Sequence, residues 1–335
     1  MAELTARMAS RQARSNMLER VVAFATVALI VMFSLLIDGF ATLGNLRVIL
    51  SNSASLMMLA CGMAVVILSR GLDLSLIAQM IAGATTFSIL VSGGVPASLA
   101  LLLAVAAMVL VGLANAWLIA YVEIPAMLAT LASAMFVTGL FRFAVLQGQS
   151  LILLPKSDPT VMLLAGDLVP GLSVPVALMF ATLGATWFLL RYSVPGRVVY
   201  AMGDNFQAAR LTGLQVRRTT IAVYVFAALT ALFAGLVTAA QSGAVDFRTV
   251  TNGTLLFDVI LAVVLGGIPL RGGRGSVRNI IVGVALIAVL RNGMTLMNFT
   301  TQTQDMLKGL VLIMAIVADN YLNPRDTETD TVGDL

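Results

Sequence analysis

Any chemistry in this sequence has to come from a small set of polar residues, because the chain has no histidine and one cysteine, Cys61. That excludes a serine nucleophile with a histidine base, a Cys/His zinc site and an intrachain disulfide. What remains is three polar segments and a few polar side chains set in apolar runs. Segment 192–219, YSVPGRVVYAMGDNFQAARLTGLQVRRT, is the most informative. Asp204 or Asn205 can cap a short helix over 206–211, and Gly213 can end it. Phe206, Leu211 and Leu214 give that helix apolar anchors among arginines. It then either lies along a membrane surface or docks in a partner's groove. The third reading is a solvated basic loop that only fixes topology.

The second segment is Ser69-Arg70-Gly71-Leu72-Asp73-Leu74-Ser75. Gly71 lets the backbone turn abruptly, and Asp73 or Ser75 can cap the helix that follows. The third, 258–276, reads DVILAVVLGGIPLRGGRGS. Asp258 stands near the end of an apolar run, where an ionisable residue is a functional candidate. The glycines after it make no Walker A loop, which needs a Gly-Lys-Ser/Thr end. The chain's two lysines, Lys156 and Lys308, follow no glycine-rich loop. Asn115, Thr130, Gln241, Arg291 and Asn292 also lie inside apolar runs. They either glue helices together, beside small neighbours such as Gly112 and Ala114, or line a pathway. Arg291 with Asn292 is the best pathway pair, since a mid-helix arginine needs an interior partner.

The elements that must position these residues are membrane helices. Of 335 residues 59% are hydrophobic and 11% charged, far from the balance of a water-soluble domain. The apolar residues run in long uncharged stretches of the roughly 20 residues that a bilayer takes as helix. Barrel strands would alternate instead, so helices are expected. Ten are predicted, at 21–38, 48–69, 73–92, 96–121, 125–146, 172–191, 220–240, 254–268, 277–297 and 305–321. The eighth rests on residues 255–267 alone. Neither long connection, 147–171 nor 192–219, has room for a soluble domain. Net charge is +4. The arginines cluster in alternate connections, which the positive-inside rule explains better than nucleic-acid binding does. Residues 1–20, with four arginines, are expected to be a cytoplasmic segment before an uncleaved first span. Residues 21–321 form the transmembrane domain, and 322–335 a cytoplasmic tail.

Several stretches together resemble a known family. Ala60-Cys61-Gly62-Met63-Ala64-Val65-Val66-Ile67, followed by Gly71-Leu72-Asp73-Leu74-Ser75, is similar to its "GMTxVI…GIDLSVG" signature. Ile124-Pro125-Ala126-Met127-Leu128-Ala129-Thr130-Leu131 is similar to "PxFIATLG". Tyr200-Ala201-Met202-Gly203-Asp204-Asn205 with Ala208-Ala209-Arg210-Leu211-Thr212-Gly213 resembles "YAIGGNxxAARLSGI". Residues 258–275 resemble "DxIAAVVLGGxSxxGGxG", and Asn292-Gly293-Met294 its "NGL". Ile77 stands where the family has glycine, and Ala132-Ser133-Ala134 where it has "GTM" after Thr-Leu. The family is the permease subunits of ribose-type ABC sugar importers, and the likeness spans about 45–320.

That resemblance implies an all-α polytopic ABC importer permease with about ten spans in the bacterial inner membrane. A second copy or a sister permease would complete a pathway for a small carbohydrate: a pentose, hexose, deoxysugar or polyol. A separate ATPase subunit, holding the ATP and magnesium, would dock on Gly203, Asp204, Asn205, Phe206, Ala208, Arg210 and Gly213. A periplasmic sugar-binding protein would deliver the cargo. The chain itself would carry no cofactor or metal, and catalyse nothing. Candidates to line the pathway are Asp73, Asn115, Thr130, Asp258, Arg291 and Asn292. The alternative is an ion-coupled secondary transporter, which wants carboxylates at the midplane. Here Asp73 and Asp258 are expected near span ends and Glu123 in a loop. An intramembrane enzyme lacks a nucleophile–base pair.

Overall fold

The computed structural model describes residues 2–145, 150–155, 158–169 and 171–322, with side chains omitted at 2–18, 251–252, 315–316 and 318–322. Lys156 and residues 323–335 of the expected tail lie outside the described residues. In chain order the elements begin with α1 (Ala2–Leu36), α2 (Leu43–Leu68), α3 (Leu76–Ser92), α4 (Ala97–Ala120) and α5 (Ala126–Leu140), which a π turn at Phe141–Val145 prolongs. Next come β1 (Leu151–Leu153), α6 (Pro159–Ala165), β2 (Asp167–Val169) and β3 (Leu172–Ser173). Then follow α7 (Val174–Tyr192), α8 (Val194–Asp204), α9 (Phe206–Leu211) and α10 (Val216–Ser242). The chain ends with β4 (Ala244–Asp246), α11 (Arg248–Asn252), α12 (Thr254–Leu265), α13 (Val277–Leu296) and α14 (Thr301–Leu322).

Seven helices among the described residues are long and apolar enough to cross a membrane, and α3 and α12 are shorter apolar ones. With α14 they occupy the ten predicted positions. α14 carries Asp305 and Lys308 in its first two turns. Residues 2–20 continue α1 as helix rather than forming a separate element. The chain also departs from a purely helical reading in two small antiparallel ladders, β1 with β4 and β2 with β3. They lie in the connections after α5 and α10, where the chain has left its apolar runs and turn residues permit pairing.

The reading of 192–219 finds one capped helix; the structure has two. α8 precedes the expected Phe206–Leu211. Its start is fixed by Ser193, whose hydroxyl accepts the Gly196 N–H at 3.0 Å, and by Pro195 in the first turn. Proline is pre-organised there and its missing N–H is not needed. Val198 and Met202, at helical spacing, are buried against Ala209 and Val216, while Val199 joins the main core.

α2 and α10 are the most buried of the seven long spans and, with the shorter α3, form the centre. α10 packs against α4, α2 and α3, while α13 packs on α1, α2 and α12. α1, α4 and α5 instead present belts of exposed apolar side chains, among them Phe24, Leu102, Leu110, Met135 and Phe136. In water such belts would be a liability; against hydrocarbon they are the favoured surface. Small residues let backbones approach at the centre. At Gly283 of α13 an added Cβ would overlap the Ala262 carbonyl oxygen of α12. Gly184, within α7, has open space around it.

Gly283→Ala should therefore force α12 and α13 apart, at about 1–3 kcal/mol by analogy with overpacked cores. Thermal unfolding in detergent should show a clearly lowered midpoint for Gly283→Ala and none for Gly184→Ala.

Candidate functional site

The bundle has two ends. One holds the α2–α3 connection, the α4–α5 turn, α8 and α9, and the glycine-rich turn at 266–276; most of the described arginines outside spans gather there. The other holds the strands, α6 and α11. Polar side chains form three groups between and at these ends.

The first group surrounds Asp73, which is fully buried. Its Oδ1 accepts the Ser75 N–H at 2.9 Å and the Ser75 hydroxyl at 2.5 Å. Its Oδ2 accepts from Gln79 Nε2 at 3.2 Å. Ser75 Oγ also accepts from Gln79 at 2.6 Å and from Asn115 Nδ2 of α4 at 2.9 Å. Thr130 of α5 accepts the Leu74 N–H at 3.1 Å and donates to the Ala126 and Leu72 carbonyls. Asp73, Asn115 and Thr130, chosen separately from sequence, thus meet around one connection. Three donors on one carboxylate are what lets such a group sit in an apolar interior. Gln79 Oε1, Asn115 Oδ1 and the Tyr224 hydroxyl are buried with no hydrogen-bond partner among the described residues.

The second group is toward the opposite end. Asp258 of α12 is almost buried and binds Lys308 of α14, with Nζ 2.9 and 3.0 Å from its two oxygens. Lys308 also meets Asp305 at 2.9 Å. Asn292 of α13 and Asn45 of α2 exchange amide hydrogen bonds of 2.9 and 3.0 Å. Arg291 is exposed and forms no ion pair among the described residues, though its charge acts on Asp258 through space. Arg291 and Asn292, adjacent in sequence, therefore have different surroundings, one exposed and the other bonded to Asn45. Gln241 of α10 donates to the Ser51 hydroxyl of α2 at 2.8 Å. Beyond them, Arg248 lowers the Asp246 carboxyl by a direct hydrogen bond.

The third group is the α8–α9 hairpin. Asn205 caps α9 by accepting the Ala208 N–H at 2.9 Å. Asp204 and Ala208 are exposed, Phe206 half-buried, and Gly213 turns the chain at φ +77°. Gly203 lies differently from its expected companions. It is buried, with its Cα against the Leu68 carbonyl and Gly273, so even an alanine there would collide with backbone. Gly273 N–H donates to that Leu68 carbonyl at 3.0 Å. Tyr200 donates to the Gly275 carbonyl at 2.8 Å. Burial raises the Tyr200 phenol, with Arg191 opposing, so it stays a neutral donor.

Sequence reasoning missed Lys308, Asn45, Gln79 and Tyr224. Asp305 and Lys308, three apart in an apolar helix, were a visible signal. The other three look like ordinary helix residues until the fold supplies their neighbours. No group of three or more Cys, Asp and Glu among the described residues could hold a metal ion.

Comparison with known proteins adds to this geometry. Residues 45–316 match the family model described as branched-chain amino acid transport system / permease component. The ribose import permease protein RbsC of Escherichia coli K12 is 30% identical over 306 residues, covering 91% of this chain and 94% of its own. The L-arabinose ABC transporter permease protein AraH of Azospirillum brasilense is 32% identical, over 90% of this chain and 85% of its own. The autoinducer 2 import system permease protein LsrC of Enterobacter sp. 638 is 32% identical, over 89% and 86%. No solved structure matches.

Removing one partner of a buried ion pair strands the other charge, at about 3–5 kcal/mol. Lys308→Met should lower the unfolding midpoint in nanodiscs strongly. Asp258→Asn should be milder, because Lys308 keeps Asp305, and adding it to Lys308→Met should recover most of the loss.

Proposed function

We propose, for a chain that belongs to the branched-chain amino acid transport system / permease component family, that its cargo is a small carbohydrate and that α9 is where its ATPase docks. The chain is a permease subunit of an ATP-binding-cassette importer, a multi-pass protein of the bacterial inner membrane and not itself an enzyme. It works with an ATPase subunit and a periplasmic binding protein. The carbohydrate reading rests on relatives named for ribose and L-arabinose import that run nearly the full length of the chain.

The observation that carries the docking reading is α9 itself. It is a capped helix, exposed on its outer face at Gln207, Ala208 and Arg210. Its arm α8 is packed onto the ends of α2 and the glycine turn through Gly203. A surface loop needs no such support; a part that receives force does. Asp204, Asn205, Phe206, Ala208, Arg210 and Gly213 would form or shape the contact, while Gly203 would fix its base. ATP and magnesium would reside on the ATPase, whose nucleotide state biases two exclusive arrangements of the bundle through differential affinity. Asp73, Asn115, Thr130, Asp258 and Asn292 would sit beside the pathway, with Arg291 at an exposed position near the Asp258 pair. The cytoplasmic placement of residues 1–20 and of the tail 322–335 belongs to the same reading. An ion-coupled transporter would want a free carboxylate in the bundle. Asp258 is neutralised by Lys308 and Asp73 is held by three donors, so neither supports it.

The test uses the importer in proteoliposomes with radiolabelled D-ribose, L-arabinose and D-galactose. Uptake of at least one should need ATP and the ATPase subunit, and should survive an ionophore. Ala208→Glu, at an exposed position, should cut that uptake more than tenfold at unchanged membrane level. Full transport by Ala208→Glu would count against docking at α9. Gly203→Pro is a poorer probe, since it would also break the packing beneath.

A further inference from the structure

The α8–α9 hairpin touches the bundle at a second place, away from Gly203. Arg210, in the last turn of α9, meets Glu123 Oε1 at 3.0 Å. Arg217, at the start of α10, approaches the same oxygen at 3.7 Å and lies over the Tyr121 ring, 5.1 Å from its centre. Glu123 is the middle of the turn joining α4 to α5, and its φ is +61°. That left-handed conformation suits glycine or asparagine at a helix end. A glutamate there is disfavoured by its own backbone, so its side chain has to supply something in return.

The turn is placed to matter. α4 and α5, the helices it joins, each grip the buried connection at Leu72–Leu74–Ser75. α4 does so through Asn115, which donates to Ser75 Oγ, and α5 through Thr130, which bonds Leu74 and Leu72. A displacement of α9 reaches α2 and the glycine turn through Gly203. Through Glu123 it would reach α4, α5 and the Asp73 connection as well.

Resting on the importer reading above, we propose that Glu123 is a positioning residue for transport: its carboxylate ties Arg210 of the docking helix to the α4–α5 turn, so that the motion of α9 is delivered to both helices holding the Asp73 connection. The ion pair is half exposed in the isolated chain and worth little to stability there. An ATPase seated on α9 would shield it from water, which strengthens the attraction.

A purely structural role is separable because glycine suits this backbone. Glu123→Gly relieves the left-handed residue while removing the carboxylate. Glu123→Gln keeps the shape without the charge, and Glu123→Asp keeps a charge. In proteoliposomes with ATPase and binding protein, molecules imported per ATP hydrolysed are measured for whichever of the three sugars the wild type imports. Glu123→Gly and Glu123→Gln should lower that ratio at least fivefold at wild-type membrane level. Glu123→Gly should keep or raise the unfolding midpoint, and Glu123→Asp should recover part of the ratio. In an Arg210→Gln background, Glu123→Gln should cost clearly less than it does alone, since the two share their shorter contact and only the longer one to Arg217 is left to lose. A ratio within twofold of wild type in Glu123→Gly or Glu123→Gln, or additive losses with Arg210→Gln, overturns the proposal alone. Absence of ATP-dependent uptake by the wild type overturns the importer reading, and the proposal with it.

Discussion

In hydrocarbon, a peptide N–H or C=O without a partner has no water to fall back on. Most of this structure follows from that. Backbone groups are satisfied inside helices, and the chain leaves helix only at the two ends of the bundle or where protein encloses it. The connection between α2 and α3 is the instructive exception. Its backbone is bonded to Asp73, to Thr130 and to the preceding turn of α2, where the Gly71 N–H reaches the Val66 carbonyl. Side chains take over the role that water plays in a surface loop.

The same scarcity of water explains how the charges are arranged. Asp258, Lys308 and Asp305 lie together because each would be costly alone. Their summed charge is negative, and Arg291 contributes a positive field from outside the contact. Through the Asp258–Lys308 contact the cluster ties α12 to α14. At the basic end the balance differs: arginines there are wet, and their pairing with Glu123 depends on what covers them.

The spans were legible because hydropathy is local. The ten predicted spans fall on ten helices with bounds within about six residues, even the short α12, except that α1 begins at Ala2 rather than near residue 21. α8 was not, since its apolar residues, Val198, Val199 and Met202, form a stripe one turn wide inside a basic stretch. Partnerships were legible only where both members were near in sequence, as with Asn205 capping α9. Asn45 and Asn292 are 247 residues apart, and Asp258 and Lys308 fifty. Nothing in either local sequence distinguishes a bonded asparagine from an unbonded one. Gly203 was placed in the docking set by its neighbours in sequence, but what it touches, Leu68 and Gly273, makes it a bearing for the hairpin rather than part of its outer face.

The exchanged amides of Asn45 and Asn292 fix how the outer parts of α2 and α13 can move. Each amide gives one hydrogen and takes one, so both bonds exist only when the two residues stand level. Sliding one helix a single turn past the other would break both at once, with lipid offering no substitute. A rocking motion about that point leaves them intact. While both bonds hold, the pair acts as a pin rather than a rail: the two helices can tilt about it but not slide past each other.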